Sequence, residues 1–383
     1  MVEPMKRFLS KQFLSKQFFS KQFFSRRAVC IFLVLLLGIP AALFYQSLKP
    51  SGAAPYSDSP ANASADFMES GFKESDYIKW VDFKVTSAAM SDACQYDVKA
   101  HEAGIKLDWI CLLAALGVKY GGDFKNYKKS DMDALAQPIL NKEATMEELA
   151  KTKYYGYYNQ AYHAVLGGMV GEYESDGKKF YGLKAFSPIA KGFPYSDYDD
   201  FGASRSFGFR RQHLGHDMMG QIGTPIIAVE SGYVECLGWN RYGGWRIGIR
   251  SFDKKRYYYY AHLRQDFPYC KSLKCGSVVT AGDVIGYMGH TGYSDKENVN
   301  NIDIIHLHFG MQLIFDESQK DGNNEIWISC YELARFLSQN RSEVAKEEST
   351  KEWRRTIPMV DPAVGAFEKS RKNPNSLAKP GKN

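Results

Sequence analysis

Beyond its first 27 residues the chain has no net charge. The first 27 positions contain seven Lys and Arg residues and one acidic residue, so the rest of the chain has 42 basic and 42 acidic residues. The formal net charge of +6 is therefore confined to the N-terminus. Because a nucleic-acid-binding domain needs a clustered basic surface, this balance argues against nucleic acid as a partner.

Cysteine is scarce, with seven residues in 383, and Cys30 lies in an apolar segment. The other six are Cys94, Cys111, Cys236, Cys270, Cys275 and Cys330. An even number permits disulfides in an oxidising compartment, and "CKSLKC" would close a small loop, but buried free thiols are an equal alternative. No second Cys or Cys/His pair has zinc-finger spacing, which argues against a structural zinc module.

Long apolar runs are also scarce, and one stands out at Ala28 to Phe44. Its 17 uncharged residues meet the lower length limit of a membrane-spanning helix. The basic residues before it predict a single-pass anchor at 28–45, with residues 1–27 in the cytoplasm and the remainder outside. A cleaved signal peptide is the alternative. The repeated Lys and Phe residues of the 1–27 head would suit an anionic membrane surface.

The rest of the sequence predicts an α+β multidomain chain. After a Ser-, Ala- and Pro-rich linker at 46–65, residues 66–198 predict a small, mainly helical domain. Its clearest helix is "DWICLLAALGVKYGG", with Asp108 as N-cap and Gly121 as C-terminal stop.

Residues 199–336 predict a domain of antiparallel β-sheet. Four segments have strand-like length and composition and are separated by glycines, namely "TPIIAVESGYVECLGW", "GGWRIGIRSFDKKRYYYYAHL", "GSVVTAGDVIGYMG" and "IIHLHFGMQLIF". Residues 337–383 are charged and interrupted by proline, which predicts a mostly disordered tail.

Six of the eight histidines lie between His213 and His308. On a strand, the spacing of "HLH" places His306 and His308 on one face of the sheet. If "HLGHD" is also extended, His213 and Asp217 share a face while His216 points away. Two histidines and one carboxylate form a zinc site that leaves a fourth position for water, as in catalytic sites. Zinc there would supply a Lewis acid and a water with a pKa of about 7.

The motifs "HLGHD", "YYYYAHL" and "HLHFG", with "GDVIGYMGHTG" between them, resemble the lysostaphin and LytM-like zinc metallopeptidases. These enzymes cut peptide crosslinks in bacterial peptidoglycan with a β domain of the duplicated-hybrid-motif type. The resemblance covers residues 205–315. It implies His213, Asp217 and His308 as ligands of one Zn²⁺. It also implies that His262 and His306 orient or deprotonate the water and stabilise the oxyanion.

One segment departs from the pattern of these peptidases. Between "GHTGYS" and "HLHFG" lies "DKENVNNIDII", which is longer and more acidic than their usual short turn. This change predicts an altered wall of the substrate groove.

The sequence therefore predicts a membrane-anchored, extracytoplasmic zinc endopeptidase that acts on peptidoglycan peptides. The alternative is a catalytically silent scaffold or binding module in a cell-envelope or sporulation complex. Which peptide bond is cut, and which proteins are partners, stay open.

Overall fold

The computed structural model describes residues 77–207, 209–322 and 324–372. The predicted basic head, transmembrane anchor and linker lie outside these ranges. Within the described part, no helix is both long and apolar enough to cross a membrane.

The helical part is formed by five α-helices that follow one another. These are α1 (Ser87–Glu102), α2 (Trp109–Tyr120), α3 (Lys129–Leu140), α4 (Met146–Leu149) and α5 (Tyr155–Leu166). The prediction for α2 is confirmed at both ends. The Asp108 side chain accepts a hydrogen bond from the backbone N–H of Ile110, and Gly121 ends the helix in the left-handed region at φ 62°.

A β-hairpin lies within the region predicted to be mainly helical. Strands β1 (Val170–Ser175) and β2 (Lys178–Leu183) pair antiparallel. They are joined at Asp176 and Gly177, whose φ angles are 49° and 73°. An Asp-Gly pair tolerates positive φ at both central positions of a type I′ turn, so the local sequence accounts for the hairpin.

The prediction of a sheet-rich C-terminal part is confirmed. Its strands are β3 (Ser196–Asp197), β4 (Ser204–Phe207), β5 (Phe209–Gln212), β6 (His216–Met219), β7 (Pro225–Ile227), β8 (Gly232–Asn240), β9 (Gly244–Ser251), β10 (Arg256–Ala261), β11 (Val278–Val279), β12 (Val284–Tyr287), β13 (His306–Leu313) and β14 (Ile326–Ile328). Eight of them form one sheet in the order β11-β8-β9-β10-β13-β6-β3, and β14 also pairs with β13. Strands β10 and β13 lie at its centre, where both faces are available to position side chains.

The helical and sheet-rich parts pack directly against each other. The fully buried Arg256 of β10 donates to the carbonyl oxygen of Ala164 at the end of α5, 3.0 Å away. The ring of Trp109 stacks on that of Phe336 at 5.7 Å. The change from helices to strands lies between Leu166 and Val170, and β3 at Ser196–Asp197 already pairs within the large sheet. The predicted domain boundary between residues 198 and 199 stays a prediction.

The C-terminal segment differs from the predicted mostly disordered tail. It contains the end of α6 (Tyr331–Leu337), a hairpin of β15 (Val344–Lys346) and β16 (Trp353–Arg355), and α7 (Pro362–Lys372). Aromatic side chains provide the physical reason. Trp353 packs edge-on against Phe193 at 5.1 Å, and Phe367 stacks on Phe252 at 4.4 Å. The charged composition of this segment therefore gave no sign that a few aromatic residues pack it against the rest of the protein. Residues 373–383 lie outside the described part.

The six cysteines outside the apolar segment are all free thiols. Of the two alternatives, free thiols are therefore observed, and Cys270 and Cys275 do not close a disulfide loop. The Cys270 thiol instead donates to the Val284 carbonyl oxygen at 3.2 Å.

Candidate metal centre and active-site cleft

Strand β13 presents His306 and His308 from the same face, as their spacing predicts. Leu307 between them is fully buried on the opposite face. Strand β6 pairs with β13 so that His308 lies opposite Asp217. Since directly opposed residues of an antiparallel pair have neighbouring side chains, this register brings the imidazole to the carboxylate.

His213 completes the group as predicted, but from a loop and not from the extended strand that the sequence pattern assumed. Strand β6 begins at His216, so residues 213–215 are not part of a strand. Nevertheless, the Nε2 atom of His213 lies 3.0 Å from Oδ1 of Asp217 and 2.9 Å from Nδ1 of His308. The His308 Nδ1 atom lies 3.0 Å from the same carboxylate oxygen. Three donor atoms from three residues thus form a nearly equilateral triangle.

The protonation chemistry of this triangle suits a metal ion. The His213 Nδ1–H donates to the backbone carbonyl oxygen of Asp200 at 3.3 Å, which leaves Nε2 without a proton in the neutral ring. Two ring nitrogens at 2.9 Å need a proton or a cation between them. Tetrahedral Zn²⁺ with bonds of about 2.0–2.1 Å separates its ligands by about 3.3 Å, which is close to the observed spacing.

Electrostatics keep Asp217 in the form that a metal requires. Burial disfavours its charge, but the polar contacts with the His213 and His308 rings and the positive potential that His308 and His306 contribute hold the pKa of Asp217 well below its usual range. The guanidinium of Arg205 also lies 3.5 Å from Oδ2 of Asp217 and pairs with the Asp200 carboxylate. Arg205 therefore links the carboxylate of the triangle to the residue that orients His213.

His262 and His306 flank the triangle with fixed ring orientations. The Nδ1–H of His262 donates to the Thr291 carbonyl oxygen at 2.9 Å, and that of His306 donates to the Ile304 carbonyl oxygen at 2.8 Å. Carbonyl oxygens only accept, so Nε2 is the unprotonated nitrogen of each neutral ring. The His306 Nε2 atom lies 3.6 Å from Oδ1 of Asp217. The two rings are 4.7 Å apart between centroids.

Burial keeps His262 neutral. Its pKa is well below the usual value because burial penalises the imidazolium, and His306 and His308 add like-charge repulsion. His262 also has a φ of 60°, which is uncommon for a residue with a Cβ atom. Its backbone N–H donates to the Gly243 carbonyl oxygen at 2.8 Å, and this bond helps to hold the unusual conformation.

All five predicted site residues line one cleft of about 790 Å³. Such a volume is within the range of ligand-binding clefts. One part of its wall is formed by residues 301–304, which belong to the long acidic segment before β13. The segment that departs from the peptidase pattern therefore does form part of the groove.

Residues 211–321 match the sequence profile of peptidase family M23. The chain contains an M23 peptidase domain. This match confirms the resemblance seen in the motifs, and the matched residues include the triangle of His213, Asp217 and His308 and both flanking histidines.

Two relatives and one solved structure extend the comparison of the M23 domain. The L-Ala–D-Glu endopeptidase of Bacillus subtilis (strain 168) is 34% identical over 200 residues, covering 51% of this chain and 59% of the relative. The glycyl-glycine endopeptidase ALE-1 of Staphylococcus capitis is 36% identical over 98 residues, covering 25% of this chain and 24% of the relative. The catalytic domain of Staphylococcus simulans lysostaphin is 31% identical with a TM-score of 0.27, covering 34% of this chain and 84% of that domain. This chain thus spans less than two thirds of either relative.

Two other histidines of the M23 domain have structural partners. His216 is buried and lies 3.0 Å from an Asp197 carboxylate oxygen, on the sheet face away from the triangle. The His290 Nδ1–H donates to the Ile302 carbonyl oxygen at 2.6 Å and so holds the cleft wall.

A second group of potential metal donors lies in the helical part, formed by Asp108, Cys111 and His163. An ion pair between Asp108 and His163, with Nε2 and Oδ2 3.1 Å apart, accounts for it without a metal. The hydrogen bond that the His163 ring donates to the Asp108 carboxylate raises the pKa of His163.

Two site residues escaped the sequence interpretation, Arg205 and Asp200. Both lie in "DDFGASRS", just before the first motif. A charged pair close to a metal motif is the one sequence signal that could have identified them.

Proposed function

We propose that this protein is a membrane-anchored, extracytoplasmic zinc endopeptidase that hydrolyses peptide crosslinks or stem peptides of bacterial peptidoglycan. The triangle of His213 Nε2, Asp217 Oδ1 and His308 Nδ1, with edges of 2.9 to 3.0 Å, carries the proposal. The M23 domain supports the reaction class. The basic head and the apolar run at 28–44 support the location, since peptidoglycan lies outside the cytoplasmic membrane.

The three residues of the triangle would hold Zn²⁺ and leave a fourth position open to the cleft. When bound, zinc supplies a Lewis acid for a peptide carbonyl and lowers the pKa of water to about 7. Arg205 and Asp200 fix the ligands, because outer hydrogen bonds orient metal-binding side chains.

His306 and His262 would move the proton. Their unprotonated Nε2 atoms can accept a proton from the attacking water and return it to the leaving amine. The low pKa of His262 favours the neutral, proton-accepting form at neutral pH. Both histidines are buried and have a fixed ring orientation, so each proton transfer would take place between groups of defined geometry.

Two bond classes are candidates for cleavage. One is the stem-peptide bond between L-Ala and D-Glu, for which the Bacillus relative is named, and the other is a glycyl-glycine bond, for which the Staphylococcus relative is named. The longer Bacillus alignment favours the first.

Mass spectrometry of muropeptides after digestion of purified peptidoglycan with the full chain tests the proposal. We expect new peptide termini at one bond type, with His306→Ala reducing the rate by about 100-fold or more while zinc stays bound. His101→Ala, which changes an exposed histidine of α1 outside the cleft, is the matched control. A zinc-loaded wild type that cleaves neither an L-Ala–D-Glu wall nor an oligoglycine wall would favour a catalytically silent scaffold instead.

A further inference from the structure

Two arginines of the cleft have nitrogen atoms that lack a hydrogen-bond partner. The Nη1 atom of Arg211 and the Nε atom of Arg246 are buried and unpaired, and both residues line the cleft beside the histidines. A buried N–H group without an acceptor costs free energy, so native proteins rarely leave one unpaired without a reason. An acceptor supplied by a ligand is one such reason.

Arg211 is held in a fixed orientation by two aromatic rings. Its guanidinium carbon lies 4.7 Å from the ring centroid of Tyr242 and 4.8 Å from that of Tyr293. The loops that carry the rings are joined by a hydrogen bond from the Ser294 N–H to the Arg241 carbonyl oxygen at 3.0 Å. Two rings this close stabilise the cation through their π faces, while its Nη1 atom keeps no hydrogen-bond partner.

Arg246 of β9 lines the same cleft as Arg211 and the metal site. Ile247 of β9 pairs with Tyr260 of β10, and the next residue of β10, Ala261, pairs with His308 of β13. The Tyr259 ring lies 5.9 Å from the His308 ring between centroids. Arg246 therefore lies in the cross-strand row that leads to His308, and Arg211 lines the same cleft.

The other two cations of the cleft already have acidic partners. Arg205 pairs with Asp200 and Asp217, and the Lys320 ammonium lies 2.9 Å from the Glu235 carboxylate. Among the described residues, no carboxylate lies within ion-pair distance of Arg211 or Arg246. The cleft also contains the acids Asp303, Asp321 and Glu325.

We propose that Arg211 and Arg246 bind a carboxylate of the substrate, so that the enzyme selects a peptide with an acidic residue beside the scissile bond over oligoglycine. This inference rests on the proposed peptidase function. Arginine offers a planar, always charged pair of N–H donors that matches the two oxygens of a carboxylate. An oligoglycine bridge has no side-chain acid to fill the same position.

A pair of synthetic stem peptides tests the inference with the full chain. One has a free D-Glu α-carboxylate after L-Ala, and the other has a carboxamide at that group and is otherwise identical. We expect wild type to cleave the carboxylate peptide with a kcat/KM about 10- to 100-fold higher than that for the carboxamide peptide. This ratio corresponds to the free energy of a hydrogen bond to a charged group. Arg211→Met should bring the ratio near one through a higher KM.

Three further variants separate recognition from a folding defect. Arg246→Met should also reduce the ratio, while Arg211→Lys keeps the charge without the planar pair of donors and should restore part of it. Lys320→Met removes a cleft cation that already has a partner and should leave the ratio unchanged. Zinc content equal to wild type identifies the folded variants.

Equal cleavage of both peptides by wild type, or an unchanged ratio in Arg211→Met, would overturn the inference and leave the peptidase proposal intact. If wild type cleaves neither peptide, the proposed function fails for this bond. Calorimetric binding of the same two peptides then decides the inference. Carboxylate-dependent affinity that is lost in Arg211→Met supports it, and equal affinity for both peptides refutes it.

Discussion

Gly215 lies directly against the imidazole ring of His308. A Cβ atom placed on Gly215 would be 2.4 Å from both Nε2 and Cε1 of that ring. The chain between the two ligands of the first motif therefore needs glycine for space. The constraint is steric, since Gly215 is not among the residues with positive φ.

We expect Gly215→Ala to lower zinc affinity by at least tenfold, because the methyl group must displace His308 or the backbone that carries it. Zinc affinity measured by competition with a chelator checks this expectation. Gly156→Ala is the matched control, since a Cβ atom there meets nothing within 4 Å. An equal affinity in both variants would show that the His308 ring moves freely.

Removal of a proposed ligand should abolish zinc binding and wall cleavage together. His213→Ala and Asp217→Ala each leave two of the three donor atoms, and metal content measured by mass spectrometry should fall from one per chain to near zero. His290→Ala should retain zinc, because its ring bonds to the Ile302 carbonyl oxygen outside the triangle. Unchanged zinc in His213→Ala would refute the ligand assignment.

The buried Arg256 should be a major contributor to stability. It donates to both Glu230 carboxylate oxygens at 2.8 and 3.0 Å and to the Ala164 carbonyl oxygen. Arg256→Met leaves Glu230 buried without its cation, so we expect a loss of about 3–5 kcal/mol in the free energy of unfolding. Chemical denaturation measures it. The double variant Arg256→Met, Glu230→Gln should be less destabilised than the sum of the single changes.

The pair of Asp108 and His163 should give a stability term that depends on pH. Asp108 has a lowered pKa, because hydrogen bonds, chiefly from His163, outweigh the larger single effect of burial, and His163 has a raised pKa through Asp108. The Asp108 contribution is lost as pH falls through its folded pKa below 3.8, and the His163 contribution is lost as pH rises through its folded pKa above 6.5.

His163→Gln should therefore destabilise the protein near pH 5.5 and have a smaller effect near pH 8.5. Both side chains are more than a third exposed, at 38% and 45%, so solvent screening limits the effect to about 1 kcal/mol or less. Unfolding curves at the two pH values measure the difference. An effect of the same size at both would show that packing, rather than charge, accounts for the role of His163.

The sequence predicted those features whose signals are local. Helix α2 has its cap and its stop within the segment that it forms, so Asp108 and Gly121 could be placed correctly. The alternation of "HLH" placed His306 and His308 on one face because a strand has a period of two. The Asp-Gly turn of the first hairpin was equally local, and it was missed within a region interpreted as helical.

Other features depended on contacts between distant segments. The prediction that His213 and Asp217 share a strand face used an extended "HLGHD", yet the strand begins at His216. The fold of the backbone around Gly215, and not strand parity, brings His213 to Asp217. The C-terminal segment appeared disordered from its charge, and only packing of Trp353 and Phe367 against earlier residues shows otherwise.

By itself the sequence determined the candidate metal centre and the family resemblance of this protein, because the donor types and their short spacings define both. Tertiary structure alone decided how the donors meet. The register of β6 against β13 sets His308 opposite Asp217 across 91 positions of sequence. The same holds for Arg205, Arg211 and Arg246, since an arginine acquires an acidic partner or keeps an unpaired nitrogen only when distant strands and loops close around it.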